Sequence, residues 1–168
     1  MLPAIPASAQ SASAPAIASC KAAVFKVADY WFALPATAIR KVVPFSTLNR
    51  GTHEDSLLLW HDHPLVWLDL HLLLTPTSNN RPFAPQTLPA PQTHVLIVWS
   101  QTGDRCAIPV DKLPTLLEIP LSEAQVLPPH YRQTIGQMAR YMVVRPFQGA
   151  NVTILLLDLM QALQRRHY

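Results

Sequence analysis

The stretch "HVLIVWSQTGDRCAIPV", from His94 to Val110, decides the fold class. Two runs of strand length, rich in Val, Ile and Leu, flank the turn-forming residues "SQTGD". Two such runs around a short loop that contains Gly are typical of a β-hairpin. The sequence therefore predicts a pair of antiparallel strands on either side of Gly103.

Segments of the same type recur over most of the chain, which favours an all-β protein. "AVFKVADYWFAL" indicates two strands that turn at Asp29, and "ATAIRKVV" indicates a third that ends at Pro44. "FALPATAI" is echoed by "CAIPVDKL", and "VWLDLHLLL" is echoed by "ILLLDLMQAL". Because half a chain of short strands cannot bury both of its faces alone, we predict two intertwined small β-barrels.

The repeated segments "VWLDLHLLL" and "ILLLDLMQAL" each contain an aspartate that is predicted to cap a helix. Asp158 precedes "LMQALQRR", whose apolar stripe and closing arginines suit a short C-terminal helix. By the echo, Asp69 caps a turn or a helical stub in the same way. The opening of each helix should therefore be held by a carboxylate.

Composition divides the chain into four parts. Residues 1–22, rich in Ala, Pro and Ser, are expected to form a disordered leader, and the Pro-rich residues 75–93 are expected to connect two halves. The first barrel should lie mainly in residues 23–74 and the second mainly in residues 94–168. Together, residues 23–168 would form one two-barrel domain.

Charge and apolar content exclude several classes of protein. The 168 residues are 49% hydrophobic and 14% charged, and their net charge of +3 is scattered along the chain. Neither basic pair, Arg40-Lys41 or Arg165-Arg166, has neighbouring aromatic residues in the sequence, which argues against nucleic-acid binding. No apolar run reaches the length of a membrane span. Cys20 and Cys106 lie in different contexts, so we expect no disulfide and a cytoplasmic location.

Four blocks of sequence carry a resemblance to a known family. "VFKVADYWFALPATAIRKVV", "LVWLDLHLLL", "HVLIVWSQTGDRCAIPVDKLPTLLEIPLSEAQVLPP" and "NVTILLLDLMQAL" follow one another in an order that resembles the CheW-like domain of bacterial chemotaxis coupling proteins. The resemblance covers nearly everything after residue 22. It implies a pair of small five-stranded barrels and a non-enzymatic adaptor without a cofactor.

The resemblance also implies two partners and the surfaces that meet them. Such adaptors link the regulatory domain of a CheA-type histidine kinase to the cytoplasmic tip of methyl-accepting chemoreceptors, in chemotaxis or pilus-based motility, without inserting into the membrane. Ile39, Lys41 and Val42 would lie on the strand that meets the kinase. Leu65 and Val95 would lie near the groove that takes the receptor's helical hairpin.

One segment departs from the family pattern. Where typical members read Asn, an apolar residue, Arg and Gly, this chain reads Leu59, Trp60, His61 and Asp62. His61 thus replaces the arginine that contacts the receptor, and histidine is shorter and cannot form a bidentate fork. Either the partner of the His61 and Asp62 surface has changed with it, or the surface has decayed.

Two other functions remain open at the level of sequence. His61 and His63, two positions apart, would project from one face of a strand and could bind zinc, with His53 or His71 as a third ligand, in a metal-dependent or pH-sensing regulator. A generic small-barrel peptide binder would differ from the adaptor only in its partner. Trp60, Trp67 and Trp99 could form an exposed platform for such a peptide, although tryptophans of small barrels are mostly core residues.

Overall fold

The computed structural model describes residues 18–50, 58–74 and 94–165, apart from the side chains of residues 49, 50 and 165. Twelve strands, three short α-helices and three single-turn 3-10 helices follow one another in these ranges. The strands are β1 (Ser19–Val27), β2 (Tyr30–Pro35), β3 (Ile39–Pro44), β4 (Asn49–Arg50), β5 (Leu58–Trp60), β6 (His63–Trp67), β7 (His94–Trp99), β8 (Arg105–Val110), β9 (Thr115–Pro120), β10 (Gln125–Val126), β11 (Ala139–Phe147) and β12 (Ala150–Leu157). The α-helices are α1 (Leu70–Leu74), α2 (Pro129–Arg132) and α3 (Leu159–Arg165).

The strands form two curled six-stranded sheets, so the predicted all-β, two-barrel fold is confirmed. One sheet has the order β10-β11-β12-β2-β1-β9 and the other the order β3-β7-β8-β6-β5-β4. The two-residue strands β4 and β10 each add a short edge to a sheet of five longer strands. Each sheet is thus a five-stranded half-barrel with one short extra strand.

The assignment of the two barrels to residues 23–74 and 94–168 needs correction. The hairpin β1-β2 leaves its own half of the chain and pairs with β9 and, in parallel, with β12. In the same way the hairpin β7-β8 pairs with β3 and, in parallel, with β6. Each barrel therefore combines the hairpin of one half with the later strands of the other, because both hairpins have two apolar faces to cover.

Alternation along the hairpin strands explains why both of their faces are buried. In β7, Val95 and Ile97 point into a cluster confined to their own sheet, whereas Leu96 and Val98 point into the central cluster. Side chains two apart share a face of a strand, and a strand that is covered on both faces is apolar throughout. The uninterrupted run "VLIV" is therefore the sequence of a strand between two cores.

The central cluster joins the two sheets into one body. It contains Phe25 and Phe32 from β1-β2, Ile108 from β8, and Leu155 from β12, all of them almost completely buried. A smaller cluster fills each barrel on its outer side. Among the described residues, no disulfide joins Cys20 and Cys106, and the side chain of Cys106 lies in the central cluster.

Both predicted helix caps are present. The carboxylate of Asp158 accepts a hydrogen bond from the backbone N–H of Gln161 at 3.1 Å, and that of Asp69 accepts one from the N–H of His71 at 2.9 Å. Each bond satisfies a donor that the first helical turn leaves without a partner. In the three described ranges of the chain, no helix is long and apolar enough to cross a membrane.

The leader is shorter than residues 1–22. Strand β1 already begins at Ser19, where the hydroxyl of Ser19 donates a hydrogen bond to Glu118 and Cys20 faces Ile119 of β9. Ser19 to Ala22 are therefore part of a sheet, although the Ala, Pro and Ser content of the leader predicts disorder there. Residues 1–17 of the leader and the connector 75–93 lie outside the described residues.

Candidate functional site

Strand β3 forms one edge of its sheet and carries three of the predicted contact residues. Lys41 is exposed, whereas Ile39 and Val42 are partly buried and pack against the central cluster. The register shifts between Ile39 and Lys41, which leaves Arg40 as the extra residue of a β-bulge. Bulges re-aim side chains at sheet edges. The exposed face of β3 is therefore basic, and Ile39 and Val42 support it from beneath.

Leu65 and Val95, predicted to lie near a receptor groove, are buried instead. Leu65 is 2% exposed and Val95 is completely buried, both in the cluster inside the barrel of β3 to β8. Their side chains share a face with Trp67 and Ile97, so the alternation of the strands carries all four inward. Neither residue can touch a partner of the folded chain, and the prediction of direct contact is corrected to a core role.

The segment that departs from the family pattern forms a hairpin turn. Trp60 of β5 faces His63 of β6, so His61 and Asp62 are the two turn residues, with φ values of 48° and 62°. Positive φ at both positions is typical of a type I′ turn, in which Asn, Asp and Gly are favoured. The position at which the family pattern has Gly therefore has a left-handed backbone in this chain, although Asp62 occupies it. Both side chains are exposed.

The histidine-based metal site receives no support from this geometry. His61 lies in the turn and not on a strand, and its ring packs edge-on against Trp60 at 4.7 Å. His53 lies outside the described residues, and the ring of His71 contacts Asp111. Among residues 18–50, 58–74 and 94–165, no three His, Cys, Asp or Glu side chains come together as metal ligands.

His71 belongs to a network that ties together three parts of the fold. Its Nε2 lies 2.9 Å from Oδ1 of Asp111, which follows β8, and its Nδ1 lies 3.4 Å from Oδ1 of Asp69. The other carboxylate oxygen of Asp111 accepts a 2.8 Å hydrogen bond from the N–H of Ala28, in the turn of β1-β2. Asp111 therefore connects α1 to both hairpins.

Two carboxylates around one imidazole favour its charged form. Hydrogen bonding to Asp69 is the main reason that the pKa of His71 lies above its ordinary value of 6.5. Partial burial opposes this effect, and the negative charges of Asp111 and Asp69 add to it. The charge of Asp111 has a larger Coulombic effect on His71 than the charge of Asp69 has, so both carboxylates contribute to the raised pKa.

A groove between the two sheets opens at the far ends of β2 and β7. Its volume is about 410 Å³. Leu34, Leu156 and Tyr141 line it from one sheet, and Trp99 lines it from the other. Arg140, the extra residue of a bulge in β11, also faces it, and its guanidinium group lies against the side-chain amide of Gln161. This groove offers apolar surface beside basic side chains.

Trp99 is the residue of the groove that sequence reasoning misjudged. It is 38% exposed, whereas Trp67 is buried as a barrel tryptophan was expected to be. Arg40 of β3 lies over its ring at 4.2 Å from the centroid, and Arg105 of β8 lies at 5.4 Å. Arg105 could have been found from the hairpin register, since it is opposite Trp99. Arg40 could not, because its position depends on the pairing of β3 with β7.

Comparison with known proteins agrees with this architecture. The family model of the CheW-like domain matches residues 21–167. The chain is similar in structure to the scaffolding protein TtCheW from Thermoanaerobacter tengcongensis, with a TM-score of 0.62 and 13% identity over 84% of this chain and 90% of that one. A comparison with curated proteins gives no match. Since the family model spans nearly the whole described chain, the protein belongs to the CheW-like domain family.

Proposed function

We propose that the chain is a non-enzymatic, cytoplasmic adaptor that couples a CheA-type histidine kinase to methyl-accepting chemoreceptors, in chemotaxis or in pilus-based motility. Membership of the CheW-like family is the observation that carries this proposal. The fold supports it because two separate surfaces, the edge of β3 and the groove between the sheets, could each meet one partner. An adaptor of this kind acts by binding and needs no cofactor.

The edge of β3 is the proposed surface for the kinase's regulatory domain. An edge strand presents backbone N–H and C=O groups that another strand can pair with. Lys41 adds an exposed charge, while Ile39 and Val42 hold the strand against the core. Pro44 ends the strand and limits unspecific pairing along it.

The groove between the sheets is the proposed surface for the receptor. Its apolar lining by Leu34, Leu156 and Tyr141 suits the apolar face of an amphipathic helix. The turn at His61 and Asp62 is exposed, but its side chains differ from those of the family's docking segment. We therefore propose that receptor docking relies on the groove and less on His61.

Calorimetric titration of the chain with the kinase's regulatory domain tests the proposal. Binding should be saturable, and Lys41→Glu should weaken it about tenfold, the effect of losing one charged contact and placing a like charge there. Lys112→Glu, which makes the same change of charge in an exposed loop after β8, should leave binding within a factor of two. Val42→Asp is unsuitable, because Val42 packs against the core. No binding by the wild-type chain would contradict the adaptor function.

A further inference from the structure

We infer that Arg40 and Arg105, held over the ring of Trp99, form a carboxylate-binding site at the mouth of the groove, and that its occupant is an acidic side chain on the receptor's helical hairpin. This inference rests on the proposed function. It adds the chemistry by which the groove would select one face of the hairpin.

The placement of the two guanidinium groups is the first step of the argument. β7 lies between β3 and β8, so Arg40 and Arg105 approach Trp99 from the strands on either side of it. Stacking on an indole uses the face of a guanidinium group and leaves the N–H donors at its edge available. These edges can form the paired hydrogen bonds that a carboxylate accepts.

Arg40 and Arg105 are the charged residues whose side chains lie over the ring of Trp99. In the described part of the chain, neither Arg40 nor Arg105 forms an ion pair with a carboxylate. The nearest acidic residue in sequence, Asp104, accepts hydrogen bonds from Ser100 and Thr102 in its own turn. Asp158, which lines the groove, is engaged in capping α3. Charge complementarity therefore favours an anionic group from a partner.

The surroundings of the two arginines favour a carboxylate on a protein helix over other anionic groups. The site adjoins an apolar groove of about 410 Å³ whose lining includes Leu34, Leu156 and the half-exposed Tyr141. An amphipathic helix can place an apolar side chain in such a groove and a carboxylate beside it. A nucleic-acid strand would instead stack its bases on the aromatic ring. Here two arginines already lie over that ring.

The test uses a soluble coiled-coil fragment of the receptor's cytoplasmic tip and measures its dissociation constant by calorimetry. Arg105→Gln and Arg40→Gln should each weaken binding about tenfold, the loss of one charge-assisted contact. Lys21→Gln, which removes one exposed charge from a strand of the other sheet, should change it less than twofold. A receptor fragment whose exposed Asp and Glu are changed to Asn and Gln should bind Arg105→Gln and the wild-type chain with the same dissociation constant.

Two further measurements separate the inference from the proposed function. Trp99→Leu should weaken hairpin binding as Arg105→Gln does, and Trp99→Phe should restore most of it, since a ring supports the stacked groups. Arg105→Gln should leave binding of the kinase's regulatory domain unchanged.

If the wild type binds both partners and Arg105→Gln has no effect on the binding of the hairpin, only the inference is overturned. If the wild type binds neither partner, the proposed function is overturned with it. Tighter binding of a single-stranded oligonucleotide than of the hairpin would also overturn the inference.

Discussion

Replacing Asp111 by Ala removes two hydrogen bonds that join separate parts of the fold. One runs to Nε2 of His71 at 2.9 Å and the other comes from the N–H of Ala28 at 2.8 Å. A typical hydrogen bond contributes about 1 kcal/mol net, and Asp111 is 32% exposed, so water can replace part of the loss. We therefore expect the free energy of unfolding to fall by about 1–2 kcal/mol, or the Tm by about 2–8 °C for a chain of this size.

The contribution of His71 to stability should depend on pH in one direction. Since the pKa of His71 is raised above 6.5 by folding, the folded state holds its proton more tightly than the unfolded state. The stabilisation is complete below pH 6.5 and is lost as the pH rises through the raised value of the folded protein. Protonated imidazole can donate from both nitrogens to Asp69 and Asp111, whereas neutral imidazole can donate from only one.

A double-mutant cycle measures this coupling directly. Urea unfolding followed by tryptophan fluorescence, on Asp111→Ala, His71→Gln and the double variant, should give a coupling energy of about 1 kcal/mol at pH 5.5 and a clearly smaller one at pH 9. As a control, the same cycle with His63→Gln in place of His71→Gln should give no coupling energy with Asp111→Ala, because His63 is an exposed residue of β6. A coupling energy that stays equal at the two pH values, or that grows towards pH 9, would refute the reasoning.

Three further predictions concern stability, each measured by urea unfolding at pH 7. Asp158→Ala should lower the free energy of unfolding by about 1 kcal/mol, because the N–H of Gln161 loses its cap; a variant as stable as wild type would contradict the capping role. Changing His61 and Asp62 to Asn and Gly should raise it by about 0.5–1 kcal/mol, since both backbones have positive φ; a loss would mean that the side chains stabilise the turn. Leu65→Ala should cost about 2–5 kcal/mol, as expected for a cavity inside a barrel, whereas a cost below 0.5 kcal/mol would place Leu65 at the surface.

Local features of the fold could be predicted because they depend on neighbouring residues. The turn at Asp29, the hairpin around Gly103 and the caps at Asp69 and Asp158 all follow from signals within a few positions. The burial of Leu65 and Val95 was also within reach. Each lies two positions from another buried apolar residue on the same face of its strand. This alternation is stronger evidence for burial than the resemblance to the family is for a position near the groove.

Features that depend on distant pairing could not be predicted. The exchange of hairpins between the barrels depends on the parallel pairing of β2 with β12 and of β6 with β8. The sequence of a single strand does not indicate which distant strand it pairs with. The position of Arg40 over Trp99 depends on the β3-β7 pairing and on a bulge. For that reason the sequence around Arg40-Lys41 shows no neighbouring aromatic residue, although Trp99 lies against Arg40 in the folded chain.

The central claim is that the chain joins two partners at once, and one measurement tests it most directly. The chain, the kinase's regulatory domain and the soluble receptor tip are mixed, and the molar mass of the resulting particle is measured by light scattering after size-exclusion chromatography. The account predicts a ternary particle that forms only when the chain is present. Two binary complexes that exclude each other, with no ternary particle at any concentration, would contradict it.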